Sequence, residues 1–291
     1  MKGRLLHHAL APGTQSAYAS HWQKFRAFGQ QHQLNTFPAS SQTVSTYMAY
    51  MFSEGASPGS IATHLSAIAY EHKISSHVDP TDSFIVKKLM TGARKLRTGC
   101  DYRLPITKDI LRKLCLSIEH VSISYYEKVL FNCMYLTAFF AFLRIGELAG
   151  TGPHVLTIDQ VVCNFPSNVT IKFNSFKHHQ GRPISLVIKP SSPMCPVQAM
   201  QKYLELRGST PGPLFVYPGQ PVLSRTCFVQ RLKSSLIWAG FDPASFKSHS
   251  FRIGAATEAA QRGLPDSEIQ ALGRWKSSAF KKYIRFPTVQ F

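Results

Sequence analysis

Acidic residues are scarce in this chain of 291 residues. Fifteen Asp+Glu face 33 Lys+Arg, a formal net charge of +18. Self-repulsion at that charge is relieved by a polyanion, and nucleic acid is the first candidate. Lys and Arg are spread along the whole chain, whereas a basic membrane anchor is local. Six cysteines occur, and no two stand in a CxxC spacing. That excludes a zinc ribbon or a dithiol redox motif and leaves small buried fillers in a reducing compartment. No run approaches the roughly 18 apolar residues of a membrane helix. The longest, MYLTAFFAFL (134–143), reads as a buried helix, and the N-terminus lacks the apolar core of a signal peptide. Internal repeats and low-complexity segments are also missing. These absences point to a soluble intracellular protein with no membrane partner.

What is present suffices for real cores: 44% hydrophobic and 12% aromatic residues. The length suits two domains of roughly 150 residues. In the first part the apolar residues fall at helical spacing. Tyr18, Trp22, Phe25 and Phe28 form one stripe, with Gly29 and QQHQ as its end. Val44, Tyr47, Met48 and Met51 form a second, closed by Gly55. Ile61, Leu65 and Ile68 form a third after a Ser-Pro start. DSFIVKKLMTGARKLRTG is a fourth helix, capped by Asp82 or Ser83 and ending in cations that suit a helix C-terminus. RTGCDYRLPI then breaks the pattern, so the boundary falls near 99–104, between residues 1–98 and 104–291.

In the second part TKDILRKLCLSI reads as a helix, and 125–150 as one apolar helix ending in Arg144 and Glu147. VLTIDQVVC, VTIKFNS and GRPISLVI alternate as short antiparallel strands. Helices return after 192, in PMCPVQAMQKYLELRG, SRTCFVQRLKSSLIWAG, HSFRIGAATEAAQRG, PDSEIQALGRW and SSAFKKYIR. The fold class is mainly α, a four-helix domain followed by an α+β domain with one small antiparallel sheet.

Five islands carry chemistry together: Arg144 and Glu147 in LRIGEL, Lys177 in SFKHHQGRPISL, His249 and Arg252 in HSFR, Trp275 in LGRWKSS, and Tyr283 in KKYIR. Alone, each reads as an ordinary surface or core residue. As a set they suit a phosphate. Two guanidiniums clamp its non-bridging oxygens, which gain charge in a pentacoordinate transition state. A tyrosine hydroxyl is a competent nucleophile, and a lysine on a hairpin can protonate the departing oxygen. No carboxylate cluster for Mg²⁺ stands beside them, so neither metal nor cofactor is expected. Lys172, in the preceding strand, and Arg182, after the turn, are rivals to Lys177. His178 and His179 read as solvated turn residues.

The order R–K–HxxR–W–Y, with LRIGEL, SHSFRIGAAT and LGRWKSSAFKKYIR, resembles the tyrosine recombinase (phage integrase) family. The wording is most similar to recombinases of eukaryotic mobile elements of the DIRS, Ngaro and Crypton kind. The resemblance covers about 104–287. It implies a SAM-like helical core-binding domain before the catalytic domain, and cleavage of double-stranded DNA through a 3′-phosphotyrosyl link. Arg144 and Arg252 would bind the scissile phosphate, with Glu147 in support. Lys177 would be the general acid, His249 would assist proton transfer, and Tyr283 would attack. Four protomers would exchange strands of two duplexes, and the element resemblance implies a nuclear protein.

Two departures stand out. Many relatives carry His or Trp nine residues before the tyrosine. That position is Arg274 here, with Trp275 eight before. A shift of one helical position turns a side chain by about 100°; a loop can restore Trp275, which is favoured over Arg274 for the sixth catalytic place. Only eight residues follow Tyr283, where relatives often carry a helix that packs on a neighbour. The DNA surface is expected at Lys24, Arg26, Lys87, Arg94, Lys95 and Arg97, each equally readable as a solvated charge. Two rivals are a binding-only descendant and a type IB topoisomerase.

Overall fold

The computed structural model describes residues 1, 9–97, 103–176, 183–220 and 222–285. The chain divides into two compact units, 1–101 and 102–291.

The first unit is built from four helices: α1 (Pro12–Gln31), α2 (Ser41–Ser53), α3 (Pro58–Ile74) and α4 (Phe84–Leu96). Serines start three of them. The hydroxyls of Ser40, Ser57 and Ser83 accept from Thr43 N, Ser60 N and Val86 N, satisfying amides that a helix leaves open. Phe25, Phe28, Val44, Tyr47, Met48, Ile61, Ile68 and Val86 close the core. Gly29 does not end α1, which runs on to Gln31. It sits inside the helix because a Cβ there would lie 2.1 Å from Thr36 Cγ2. Arg97 is tied down: it donates to Ala56 O (2.9 Å) and Phe52 O (2.8 Å) and stacks over the Phe52 ring. Lys24, Arg26, Arg94 and Lys95 are exposed, and Lys87 is exposed but paired with Asp82 at 2.6 Å.

His64 is buried in this unit, hydrogen-bonded through Nδ1 to the Tyr47 hydroxyl (2.8 Å) and stacked on His21 at 4.0 Å. Burial, with added repulsion from His21 and Lys24, pushes its pKa down to about 4. The unfolded chain therefore takes up a proton between about pH 6.5 and 4 that the folded chain refuses, and stability falls as pH drops through that window. Thermal midpoints should decline across it in wild type and decline less in His64→Gln.

The second unit opens with α5 (Lys108–Val121) and α6 (Tyr125–Phe140). Residues 125–150 are not one helix. The α6 helix stops at Phe140, Phe142 takes a left-handed φ of 52°, and α7 (Ile145–Leu148) restarts with Arg144 as its N-cap. No glycine or proline marks the break. It arises because two arginines from distant segments claim the carbonyls of Ala141 and Phe142, a tertiary demand that overrides local propensity. The sheet is antiparallel in the order β1 (Val161–Asn164), β2 (Asn168–Phe173), β3 (Ile184–Ile188). Residues 158–160 form a 3₁₀ turn and not the start of β1, because the Gln160 side chain accepts from Thr157 N (2.9 Å) and donates to Lys172 O (3.0 Å). Val169, Ile171 and Phe173 face the core, and Lys172 is exposed on the other face.

Helices α8 (Pro196–Arg207), α9 (Arg225–Trp238), α10 (Ser250–Gln261) and α11 (Asp266–Leu272) follow. The last segment, Ser278–Tyr283, is a 3₁₀ turn and not an α-helix; the Ser277 hydroxyl accepts from Ala279 N at its start. The architecture is mainly helical with one small antiparallel sheet. Among the described cysteines, burial pushes the thiols of Cys115 and Cys133 up to about 12, which suits fillers and not nucleophiles.

Candidate active site

The break between α6 and α7, the start of α10, the turn after α11 and the last 3₁₀ turn converge on one place. Arg252, two residues into α10, is fully buried. Its two NH₂ groups donate to Phe142 O, freed by the helix break, and to Gly273 O, at the end of α11. Its guanidinium lies 3.9 Å from the centre of the Trp275 ring and 5.7 Å from that of Tyr283. Its Nε has no hydrogen-bond partner. Burial, then the neighbouring cations Arg144 and Arg274, push its pKa down to about 9, against the pull of Glu147 and Tyr283.

Glu147 is 2% exposed and binds three donors. It accepts from Arg144 N (2.8 Å), Arg144 Nη1 (3.1 Å) and Arg274 Nη2 (2.8 Å). Arg144 remains partly exposed, so its guanidinium can reach a ligand. Arg274 is buried and turned the other way, with its guanidinium 3.8 Å from the centre of the Phe173 ring in β2. Burial lowers its pKa as well. Three arginines against one carboxylate leave a local excess of +2, partly out of water. Such an excess is costly without an anion.

Trp275 and Arg274, the two residues weighed for one place, part company in the turn. Arg274 takes a left-handed φ of 55°, which sends its side chain inward. Trp275 packs against Tyr283, with ring centres 5.1 Å apart. Gly273 is required here, since a Cβ would fall 1.6 Å from the Trp275 ring. Tyr283 and His249 are both half-buried, their ring centres 6.2 Å apart. Thr257, on α10, donates to Tyr283 O (3.3 Å) and accepts from Arg285 N (3.0 Å), fixing the backbone that carries the tyrosine. Lys177, with His178, His179 and Arg182, lies outside the described residues. Among the described residues, no group of three His, Cys, Asp or Glu could hold a metal.

No family model matches the chain. It is 26% identical over 292 residues to a curated integrase/recombinase xerD homolog of Selenomonas ruminantium, spanning 94% of this chain and 81% of the relative. Solved structures agree. A lambda integrase (75–356) dimer bound to a COC′ core site overlays with a TM-score of 0.65 at 14% identity, over 97% of this chain and 92% of that one. The Tn1549 transposon integrase in complex with transposon right end DNA gives 0.64 at 13% identity, over 98% and 94%. The XerH recombinase bound to difH substrate gives 0.63 at 15% identity, over 91% and 73%.

The fold is that of the tyrosine recombinases. In this recombinase fold the second unit gathers Arg144, Glu147, His249, Arg252, Arg274, Trp275 and Tyr283 about one spot. The sequence reading missed what anchors Arg252 and Arg274: the carbonyls of Ala141 and Phe142, in a stretch without a helix breaker.

Proposed function

We propose that this chain is a site-specific DNA recombinase that cuts and rejoins strands through Tyr283. The observation that carries the reading is the buried, under-neutralised arginine cluster placed against a tyrosine ring. Arg144 and Arg252 supply positive charge to the non-bridging oxygens of a scissile phosphate. The Tyr283 oxygen attacks phosphorus; the P–O5′ bond breaks, and a 3′-phosphotyrosyl bond forms. The tyrosine proton passes toward His249, and Lys177 returns a proton to the leaving 5′ oxygen. One phosphate ester replaces another, so the link keeps the energy needed for rejoining and no nucleotide is consumed. Catalytic hydrogen bonds often tighten only when substrate is bound, which fits a His249–Tyr283 ring separation of 6.2 Å in the free protein.

The substrate is double-stranded DNA, and the partner is a further set of copies: four protomers on two sites, acting through a Holliday junction. The role is integration or excision of a mobile element of the DIRS, Ngaro and Crypton kind, in the nucleus. The +18 charge and the exposed Lys24, Arg26, Arg94 and Lys95 support contact with the backbone, and binding should weaken steeply with salt.

The test is a trap on nicked duplexes cut from the DNA that flanks the coding sequence. The nick lets the 5′ end diffuse away and leaves protein joined to the 3′ phosphate. A covalent band in wild type, with EDTA present, that vanishes in Tyr283→Phe is the expected result. A band that survives the substitution overturns Tyr283 as nucleophile. Salt-sensitive binding with no band would make the chain a DNA-binding descendant that no longer cuts.

A further inference from the structure

We propose that Arg274 is a positioning residue that keeps Arg144 positive toward the phosphate by sharing Glu147 with it. This rests on the recombinase reading above. Arg274 is assigned no contact with the phosphate, because its guanidinium faces Glu147 and the Phe173 ring, whereas that of Arg252 faces Trp275 and Tyr283. It acts through the carboxylate. One Glu147 oxygen takes Arg274 Nη2 at 2.8 Å, and the other takes Arg144 Nη1 at 3.1 Å. Without Arg274 the carboxylate would stand alone against Arg144. Its charge would then cancel the one guanidinium of the pair that can still reach a ligand. With Arg274 present, two cations divide one anion, and Arg144 keeps charge to spend on the phosphate.

The backbone supports a role for this side chain. Arg274 holds a left-handed φ of 55°, a conformation that strains a non-glycine residue. Glycine would hold it without strain, so what arginine adds is its guanidinium. That group is held by the Phe173 ring at 3.8 Å, Ala141 O at 3.2 Å, Leu272 O at 3.4 Å and Glu147, with only its Nε left without a partner. A lysine could supply the charge but not the planar fork that spans these acceptors.

The experiment measures single-turnover covalent complex formation by the full chain on two nicked duplexes. One carries the ordinary scissile phosphodiester and the other a methylphosphonate, which lacks one negative oxygen. On the phosphodiester, Arg274→Gln should slow cleavage by ~10-fold or more, as loss of positive charge from a transition-state site does. On the methylphosphonate, where less positive charge is needed, its loss should shrink to within about twofold. Equal losses on both substrates would mean that Arg274 only packs the site, and would overturn the proposal.

A second comparison serves if Arg274→Gln fails to fold because Glu147 is left buried against too few donors. Glu147→Gln and the double variant Glu147→Gln/Arg274→Gln should cleave within about twofold of each other, because Arg274 has no charge to share once Glu147 is neutral. A much slower double variant overturns the proposal. Wild type that forms no complex on any duplex overturns both this inference and the recombinase reading. Wild type that cleaves, beside an Arg274→Gln that cleaves equally well, overturns this inference alone.

Discussion

Arg252→Ala should lower the single-turnover rate of strand cleavage by ~10³-fold or more, the scale seen when a cation aimed at a transferring phosphoryl group is removed. Arg252 is a charge committed to one place. It is fully buried, held by Phe142 O and Gly273 O, and sandwiched toward Trp275 at 3.9 Å. Such a group does not have to reorganise when charge builds on the phosphate. The protein holds the guanidinium against a desolvation penalty, which is what its pKa, pushed down to about 9, expresses. An anion removes that penalty, and it removes more of it as the anion gains charge. The interaction is therefore stronger in the transition state than in the ground state, which is the condition for acceleration.

Affinity should behave differently. Many phosphates along a duplex contribute to binding, so the loss of one cation changes the dissociation constant far less than the rate. Arg252→Lys keeps the charge but not both carbonyl anchors, and should fall between wild type and alanine. The check pairs single-turnover cleavage with duplex binding by fluorescence anisotropy. A variant that loses both in proportion would place Arg252 in binding and not in the chemical step. The alanine variant also leaves two carbonyls without their donor, each at a cost of about 1–3 kcal/mol if no water enters. A thermal melt run beside the kinetics separates that loss from the catalytic one.

Features with local causes were legible in the sequence, and features with distant causes were not. The four helices of the first unit were legible because stripes such as Val44, Tyr47, Met48 and Met51 are set by neighbours in sequence, and serines announce the starts. The small sheet was legible from alternation, except at 155–160, where the Gln160 side chain bonds across to Lys172 O and makes a turn of an apparent strand. The sequence also offered a set of residue types that suit one phosphate, and the fold brings Arg144, Glu147, His249, Arg252, Trp275 and Tyr283 to one place. Their support was not legible. Nothing local in MYLTAFFAFLRIGEL interrupts a helix, yet α6 ends at Phe140 because Arg252 and Arg274, more than a hundred residues onward, need its carbonyls. The same holds for Arg274. In sequence it competes with Trp275 for one place. The left-handed turn sends the two side chains to opposite sides, the tryptophan toward Tyr283 and the arginine toward Glu147. The side chain of a residue in a turn cannot be placed by helical counting, because the turn's dihedral angles decide its direction.

Gly254→Ala carries the largest expected loss of stability, and it tests the geometry that aims Arg252 at the start of α10. Glycine in a helix interior is ordinarily a weakness of about 0.5–1 kcal/mol relative to alanine, so the sequence HSFRIGAAT alone would predict that alanine stabilises. The structure reverses the sign. A Cβ at Gly254 would lie 1.8 Å from Ile106 O and 2.6 Å from Ile106 C, both backbone atoms that cannot swing aside. Ile106 is itself fully buried, and its N–H donates to Ser250 O (3.0 Å), while Leu104 N donates to Ser245 O (2.9 Å). The chain entering this unit is thus pinned against the first turn of α10, and glycine is what allows the approach. Making room for a methyl group means breaking the Ile106–Ser250 bond or driving α10 outward. Either change moves Arg252, two residues away, off the carbonyls that hold it. The expected cost exceeds ~4 kcal/mol, the range reserved for clashes that a core cannot relax. Any folded remainder should cleave at least ~10²-fold more slowly, because a displacement near 1 Å at a catalytic group has that effect. Gly92→Ala is the control. Gly92 also lies within a helix, but a Cβ there meets nothing within 4 Å, so alanine should be neutral or stabilise by up to about 1 kcal/mol. Urea unfolding of both variants decides the matter. If Gly254→Ala unfolds at the wild-type midpoint, the close approach of Ile106 to α10 does not hold in solution, and the placement of Arg252 derived from it falls too.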